Sequence, residues 1–293
     1  MQHIEEAGIH SGDSACSLPP VSIKPFLIEE IKNQTKKLAL ALKVKGFMNV
    51  QFAIKKDKIF VIEVNPRASR TVPFVSKSKN LPLAKIASRV MAGEKLSKFN
   101  LKSKTKKMFA VKEAVFPFNK FPNSDLLLGP EMKSTGEVMG FDKDFGMAFA
   151  KSQIAASNSL PVKGTAFISL KNSHKSEGIE LAKKLIKLNF KLCGTRGTAE
   201  YFNNNGIKCK KVNKVNQGSP HIVDVLNAKK IALVINTGGG NSENQLSDAV
   251  ALRRATLINK VPYCTNMSTA YVCLDGIKSL KSKKITVTSL QDI

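Results

Sequence analysis

Predicted strands and helices alternate through the second half of the chain, and this alternation limits the fold more than any other feature. The sequence pattern predicts strands over 165–170, 190–195, 208–212, 231–236 and 261–264, of which 231–236 is strongly apolar. Helical spacing of apolar residues predicts helices over 175–188, 199–205, 220–227, 243–259 and 267–276. Such an alternation folds as a parallel sheet covered on both faces, with ligands at the carboxyl ends of the strands.

The first half of the chain has a different pattern, in which residues 48–70 predict two strands joined by a tight lysine-rich turn. Alternation over 50–54 indicates a strand with one buried face. Helices are expected over 22–44, 82–92 and 144–158, and the lysine-rich run 95–107 is expected to lie on the surface. The expected core contacts of the first helix are Ile28, Ile31, Leu38 and Leu42.

The predicted hairpin carries a set of oxygen ligands. Glu63 and Asn65 are two residues apart, so their side chains leave the same face of one strand, and Gln51 lies on the neighbouring strand. Carboxylate and amide oxygens are the ligands that Mg²⁺ or Mn²⁺ takes while also holding substrate phosphates. Arg67 and Arg70 follow within reach of the same phosphates. The simpler alternative is a solvated strand edge followed by a turn.

Four long strings carry a resemblance to a known family: HSGDSACSLPP (10–20), MNVQFAIK (48–55), IEVNPRASRTVPFVSK (62–77) and LLGPEMKSTGEVMG (127–140). They resemble the C-terminal part of an ATP-grasp ligase domain and, more closely, the large subunit of carbamoyl phosphate synthetase. The resemblance implies an α/β chain in two parts. Residues 1–157 would be the end of the second ATP-grasp domain, an α+β unit of antiparallel hairpins with helices. Residues 158–293 would be a Rossmann-like, methylglyoxal-synthase-like allosteric domain.

The resemblance also implies an activity and site residues. Enzymes of this family join bicarbonate, glutamine-derived ammonia and two ATP to give carbamoyl phosphate for arginine and pyrimidine biosynthesis, and this part would phosphorylate carbamate. Gln51, Glu63 and Asn65 would hold Mg²⁺ or Mn²⁺, with Gln51 and Glu63 also contacting ATP. His10 and Ser11 would seat the nucleotide. Arg67 and Arg70 would be the catalytic residues that stabilise the transferring phosphoryl group.

Two strand ends in the second half predict a phosphate site. Residues 194–198 (GTRGT) and 236–240 (NTGGG) each lie between a strand and a helix, where free N–H groups and the positive helix end favour an anion. Each string alone is more often an ordinary turn. The resemblance implies a UMP or IMP effector here, and it implicates six residues: Lys175, Thr195, Thr198, Lys214, Asn236 and Thr237. In the family a second Thr or Ser often follows the position of Thr237; here that residue is Gly238, so affinity or ligand choice is expected to differ.

Methylglyoxal synthase activity is the alternative for this half. It requires a carboxylate base beside the phosphate, and the corresponding stretch 216–221 contains none. A binding role is therefore favoured. The resemblance further implies an ornithine effector site at Glu5, Asp13 and Glu113. Phe116 stands where the family commonly has a smaller aliphatic residue, and this departure weighs against ornithine sensitivity.

Composition limits the partners. The net charge of +25 suggests nucleic acid, but 41 of the 47 basic residues are lysines spread over faces and turns, without interleaved aromatic residues. Specific nucleic-acid binding is therefore not expected. The sequence has no apolar run of membrane-spanning length and no signal peptide, and its five cysteines lack metal-site spacing, so we expect a cytoplasmic chain with reduced thiols and no membrane association.

We expect the chain to be a C-terminal portion of a large subunit, with Met1 as an internal methionine. The phosphate-clamping residues of an ATP-grasp site would then come from the remainder of the large subunit, and ammonia from a glutaminase small subunit. The isolated chain would be inactive as a ligase. The alternative is a free-standing, catalytically silent regulatory module that binds a nucleotide.

Overall fold

The computed structural model describes residues 1–101, 108–118, 127–238 and 243–292. The first half contains β1 (Gln2–His3), β2 (Cys16–Leu18), α1 (Pro25–Ala41), β3 (Asn49–Lys55), β4 (Lys58–Asn65), α2 (Val72–Lys79), α3 (Leu83–Met91), β5 (Phe109–Val115), β6 (Gly136–Asp142) and α4 (Phe145–Ala155). The second half contains β7 (Gly164–Ser169), α5 (Lys175–Lys187), β8 (Phe190–Gly194), α6 (Arg196–Asn204), β9 (Lys210–Lys211), α7 (Ile222–Asn227), β10 (Leu233–Asn236), α8 (Glu243–Ile258), β11 (Tyr263–Cys264) and α9 (Met267–Ser282).

The predicted parallel sheet is confirmed in the second half. Within the described residues its strand order is β11-β10-β7-β8-β9, and all four pairings are parallel. β10 is buried along its whole length, as expected for an inner strand covered on both faces. On α5 the buried residues are Gly178, Leu181, Ala182 and Leu185, which follow helical spacing and form the face that packs on the core.

The order in which successive strands are added to this sheet reverses between β7 and β10, because β8 and β9 extend it on one side and β10 and β11 on the other. In open α/β sheets a crevice forms at this point, outside the carboxyl ends of the strands. The loops after β7, β8 and β10 meet there. Gly239 and Gly240 of the predicted phosphate loop lie outside the described residues.

The first half forms an antiparallel sheet with the order β1-β2-β5-β6 and a separate hairpin, β3–β4. The hairpin turn is formed by Lys56 and Asp57, both with positive φ, the conformation that joins twisted strands most tightly. α4 packs on β5 and β6, and its other side packs on α9 of the second half.

Burial in the hairpin and α1 differs from the prediction. The hairpin has no buried face within the described residues: Phe60 is 49% exposed and Ile62 is 56% exposed. In α1 the buried residue is Leu27, whereas the expected core residue Leu42 is half-exposed. The prediction was wrong because an apolar stripe shows that a surface needs cover, but not whether the described chain supplies that cover.

Candidate functional site

The hairpin brings the predicted oxygen ligands together. Gln51 lies directly opposite Glu63 in the β3–β4 register, beside a bulge between Gln51 and Phe52. Such bulges redirect side chains near sites. The amide nitrogen of Asn65 donates to Glu63 Oε1 at 3.0 Å, so the amide oxygen is the Asn65 atom left for a cation. The set is one carboxylate and two amide groups on one hairpin.

This ligand set fits Mg²⁺ or Mn²⁺ held jointly with phosphates better than a cation held by protein alone. No group of three or more His, Cys, Asp or Glu residues in the described part of the chain is arranged to hold a metal ion. A hard divalent cation keeps open positions for water or phosphate oxygens, so one carboxylate with two amides suffices when a polyphosphate completes the shell.

The two arginines after the hairpin have different surroundings. Arg67 is exposed, and its Nη1 donates to the Ala68 carbonyl at 3.1 Å. Arg70 Nη1 donates to the Ser134 carbonyl at 3.1 Å and contacts the Ser134 hydroxyl at 3.2 Å. Arg70 Nη2 is buried and has no hydrogen-bond partner among the described residues. Arg70 is therefore anchored with one donor group unused, whereas Arg67 is free to reorient.

The loop that contains His10 and Ser11 is fixed by buried polar contacts. Asp13 accepts the backbone N–H groups of Lys133 and Ser134 at 2.7 and 2.9 Å. His10 Nδ1 accepts the Gly12 N–H at 3.1 Å. Neutral His10 must therefore carry its proton on Nε2, the nitrogen that can donate to a ligand. Both carboxylate oxygens of Asp13 are used within the fold, so its effector contact stays a prediction.

Lys112 also holds this loop, and sequence reasoning missed it. Its side chain is 0% exposed, and Nζ donates to the Ser11 carbonyl at 3.1 Å and lies 3.4 Å from Glu137 Oε1. A charged residue in the centre of the apolar strand β5 was the available signal, because a lysine is almost never fully buried without partners.

Glu5 and Glu113 form a carboxylate pair beside the antiparallel sheet. Burial, together with the neighbouring Glu113 carboxylate, raises the pKa of Glu5, and burial raises the pKa of Glu113. Glu113 Oε2 accepts the Gln153 amide at 2.5 Å, whereas Glu5 Oε2 is buried without a partner among the described residues. The two carboxyls share one buried space, and Asp13 is not among the groups that shift the pKa of either.

The crevice of the parallel sheet is a cleft of about 620 Å³ at the strand ends. Five of the six predicted effector residues line it: Lys175, Thr195, Thr198, Lys214 and Asn236. The sixth, Thr237, is not among the lining residues, and its hydroxyl accepts the Lys171 N–H at 3.4 Å. Thr195 precedes the first residue of α6, so a positive helix end faces the same space.

The cleft also contains a carboxylate that the sequence did not indicate. Asp248 of α8 lines it, accepts the Asn216 N–H at Oδ1 (3.1 Å) and has a buried Oδ2 without a partner in the described residues. The absence of an acidic residue over 216–221 therefore does not leave the cleft without one. Asp248 was missed because it reaches the cleft from a distant helix.

Comparisons with known proteins agree with this architecture. Residues 2–99 match the family "Carbamoyl-phosphate synthase L chain, ATP binding domain", and residues 177–265 match "MGS-like domain". The fold and the matches thus define a class of chain in which part of an ATP-binding domain is followed by an MGS-like α/β domain. Within that class, the chain belongs to the carbamoyl phosphate synthase large-chain family.

The chain spans only part of the length of the relatives that it matches. The chain is 48% identical to the "Carbamoyl phosphate synthase large chain, C-terminal section" of Aquifex aeolicus, covering 100% of this chain and 58% of that protein. It is 49% identical to the large chain of Brucella suis and 48% identical to that of Archaeoglobus fulgidus, covering 26% and 27% of their lengths. A methylglyoxal synthase structure from Elizabethkingia anophelis aligns with 44% of this chain at 14% identity and a TM-score of 0.32, too weak a likeness to carry an argument.

Proposed function

We propose that the chain is part of the large subunit of a glutamine-hydrolysing carbamoyl phosphate synthetase, where it contributes to ATP-dependent phosphorylation of carbamate. Bicarbonate, glutamine-derived ammonia and two ATP would be the substrates of the complete enzyme, and its product would serve arginine and pyrimidine biosynthesis. The cross-strand pair Gln51–Glu63 with Asn65 beside it carries the proposal, because it supplies oxygen ligands on a chain with full-length similarity to this family.

Each residue has a role that follows from its contacts. Gln51, Glu63 and Asn65 hold Mg²⁺ or Mn²⁺, which when bound neutralises charge on the ATP phosphates. Arg70, held by Ser134, presents its unused Nη2 at a fixed position, and exposed Arg67 closes on the transferring phosphoryl group. The Nε2–H of His10 donates to the nucleotide, with Ser11 beside it.

The first prediction tests the metal ligands. Replacing Glu63 by Gln removes the only carboxylate of the set and should lower carbamoyl phosphate formation on the order of 100-fold or more in the assembled synthetase. Asp57→Asn on the same hairpin is the matched control, because Asn tolerates the positive φ of the turn and the site is untouched. A Glu63→Gln enzyme with the full rate would refute the assignment.

Exposed apolar side chains on the hairpin and α1 support the proposal that the remainder of the large subunit packs against them, whether it is joined covalently or not. Phe60 and Ile62 of the hairpin are 49% and 56% exposed, and Leu40 of α1 is 69% exposed. Contiguous exposed apolar side chains mark interaction surfaces. The remainder of the subunit would cover them and complete the ATP site, and a glutaminase small subunit would supply ammonia.

We further propose that the cleft of the second half binds a nucleoside monophosphate such as UMP or IMP as an effector. Lys175 and Lys214 would neutralise the phosphate, and the hydroxyls of Thr195 and Thr198 with the start of α6 would donate to it. Asn236 and Asp248 would contact the nucleoside, Asp248 through its buried Oδ2. Thr237 would act indirectly by tying the loops after β7 and β10 together.

The second prediction tests this cleft by calorimetric titration of the 293-residue chain with UMP and with IMP. Lys214→Met should weaken the effector's binding about 10-fold or more, because it removes a charged hydrogen-bond donor. Lys187→Met, an exposed lysine at the far end of α5, is the control. Equal affinity in Lys214→Met and the unaltered chain would show that the phosphate binds elsewhere.

Ornithine at the Glu5–Glu113 pair is the remaining effector assignment. The two carboxyls could take a cationic amino group, and the raised pKa of each means that binding would release protons. A titration of the chain with ornithine tests it. No heat change in the unaltered chain would remove ornithine as a ligand while leaving the UMP or IMP site standing.

A free-standing regulatory module is the second candidate function, favoured by the fact that five predicted effector residues line one cleft without any other chain. The size of the native polypeptide distinguishes the two. Detection in source cells with an antibody to residues 158–292 should give a band several times larger than 32.0 kDa if the chain is part of an uninterrupted synthetase subunit. A band at that mass, with effector binding but no ligase activity after reconstitution, supports the module.

A further inference from the structure

Two buried thiols lie in contact where the last strand of the parallel sheet meets the last helix. Cys264 is the final residue of β11, and Cys273 lies in α9. Their Sγ atoms are 3.4 Å apart, and the residues are 1% and 5% exposed. α9 begins at Met267 and runs back over the sheet, so its second turn covers the end of β11. The hydrophobic core that contains both residues holds them together.

We propose that Cys264 and Cys273 are a thiol pair that hydrogen peroxide oxidises to an intramolecular disulfide. A disulfide has an S–S distance of about 2.05 Å, so the sulfurs must approach by about 1.4 Å from their present contact. A small, uncharged oxidant is required because the pair is buried. The inference is independent of the function proposed above.

The reaction balances in two steps. The Cys264 sulfur attacks one oxygen of hydrogen peroxide, the O–O bond breaks, and a sulfenic acid and one water result. The Cys273 sulfur then attacks the Cys264 sulfur, the S–O bond breaks, and the hydroxyl leaves as a second water with the Cys273 proton. Two thiols lose two electrons and two protons in total, and the peroxide is reduced to two waters.

The surroundings assign the order of these steps. The hydrogen bond with Cys264 and burial raise the pKa of the Cys273 thiol well above its usual value, with smaller contributions from Glu113 and Glu5. A raised pKa disfavours the Cys273 thiolate, so in this proposal Cys264 attacks the peroxide first, and Cys273 gives up its proton as it attacks the sulfenic acid. A disulfide here would join the end of β11 to α9.

The experiment counts thiols in the unaltered 293-residue chain. After treatment with hydrogen peroxide, the chain is unfolded, alkylated with iodoacetamide and digested without reductant. The five free thiols should fall by two, to three, and dithiothreitol should restore five. Because no Lys or Arg separates positions 264 and 273, a tryptic digest should show the link as an internal disulfide within one peptide. Five remaining thiols, a link between other cysteines, or oxygen-added cysteines without a link would each overturn the proposal.

Two variants sharpen the result. In the Cys273→Ser chain all four thiols should remain, or oxidation should stop at a sulfenic acid on Cys264, which dimedone then traps. Cys193→Ser is the matched control, because Cys193 is equally buried in the same sheet, and its four thiols should fall to two. The peptide map of the unaltered chain decides the question if either variant fails to fold.

Discussion

Two adjacent charged residues, Lys112 and Glu113, point to opposite faces of β5. Lys112 reaches the Ser11 carbonyl in the loop that would seat the nucleotide, and Glu113 reaches Gln153 on α4. Period-two alternation along a strand produces this separation. Through these two side chains, one strand contacts the His10–Ser11 loop on one face and supplies a member of the Glu5–Glu113 pair on the other. Lys112 and Glu113 are both buried, so neither can be explained as surface charge.

The third prediction follows from the raised pKa values of Glu5 and Glu113. In the unfolded chain these carboxyls lose their protons near the ordinary Glu pKa of 4.5, whereas in the folded chain they keep them to higher pH. The folded state therefore binds more protons, and the contribution of the pair makes stability fall as pH rises from 4.5 through the folded-state pKa values. Glu113→Gln should flatten this part of the pH profile and stabilise the chain at pH 8 by about 1–3 kcal/mol.

Urea unfolding at several pH values between about 5 and about 8 measures the effect. Glu6→Gln, which removes an exposed neighbouring carboxylate, is the control and should leave the profile unchanged. Profiles for Glu113→Gln and the unaltered chain that run parallel over this range would contradict the assignment of a buried, protonated pair.

At the scale of elements, the crossing of α4 and α9 joins the two halves of the chain. A Cβ on Gly146 would collide with the Asp275 carbonyl of α9, and one on Gly276 would meet the Leu160 side chain. Asp144 caps α4 by accepting the Met147 N–H and also binds Ser279 and Lys283. Burial opposes ionisation of Asp144, but these hydrogen bonds outweigh it and lower its pKa to about 2.

The fourth prediction tests this crossing. Gly146→Leu should lower the free energy of unfolding by about 1–3 kcal/mol or more, because the side chain must push two helices apart. Gly129→Ala is the control, since a Cβ there has open space and the residue does not need a positive φ. Urea unfolding compares them. Equal destabilisation by the two substitutions would mean that α4 and α9 are not closely packed.

At the scale of the whole molecule, one hydrophobic core includes residues from both sides of the predicted domain boundary between residues 157 and 158. One cluster of buried residues contains Val111 of β5 and Phe149 of α4 together with Ile168 of β7 and Leu274 of α9. The boundary itself stays a prediction. Because these elements share one buried core, the stability of the antiparallel sheet and α4 depends on that of the parallel sheet, and the reverse.

The fifth prediction is that these parts unfold together. Scanning calorimetry of the 293-residue chain should give one main transition covering both sheets, because separating them would expose the α4–α9 contact. Binding of UMP or IMP should raise its midpoint as a single peak. Two well-separated transitions, with only the later one shifted by nucleotide, would show that the halves are independent domains.

Element prediction succeeded where short-range pattern decides structure. The parallel strands and α5 follow from apolar spacing, with ends within a few residues of those observed. The helix α2 was missed, since Val72–Lys79 has no clear apolar period and is helical through its packing, with Phe74 and Ser78 buried. α9 extends to Ser282, beyond the predicted end at residue 276, because its later turns pack in the core around Ile277.

The candidate sites divide in the same way. Gln51, Glu63 and Asn65 were readable because strand pairing and residue spacing put them on one hairpin, and the cleft residues were readable because they follow strands directly. The contacts of Lys112 and Asp248 were not readable, since each side chain reaches its site across a large separation in sequence. Periodicity and turn chemistry, which are local, determined the element types and the family motifs. Which apolar faces are covered, which carboxyls share a buried space and which thiols touch depended on tertiary packing, because burial and proximity are properties of distant segments brought together.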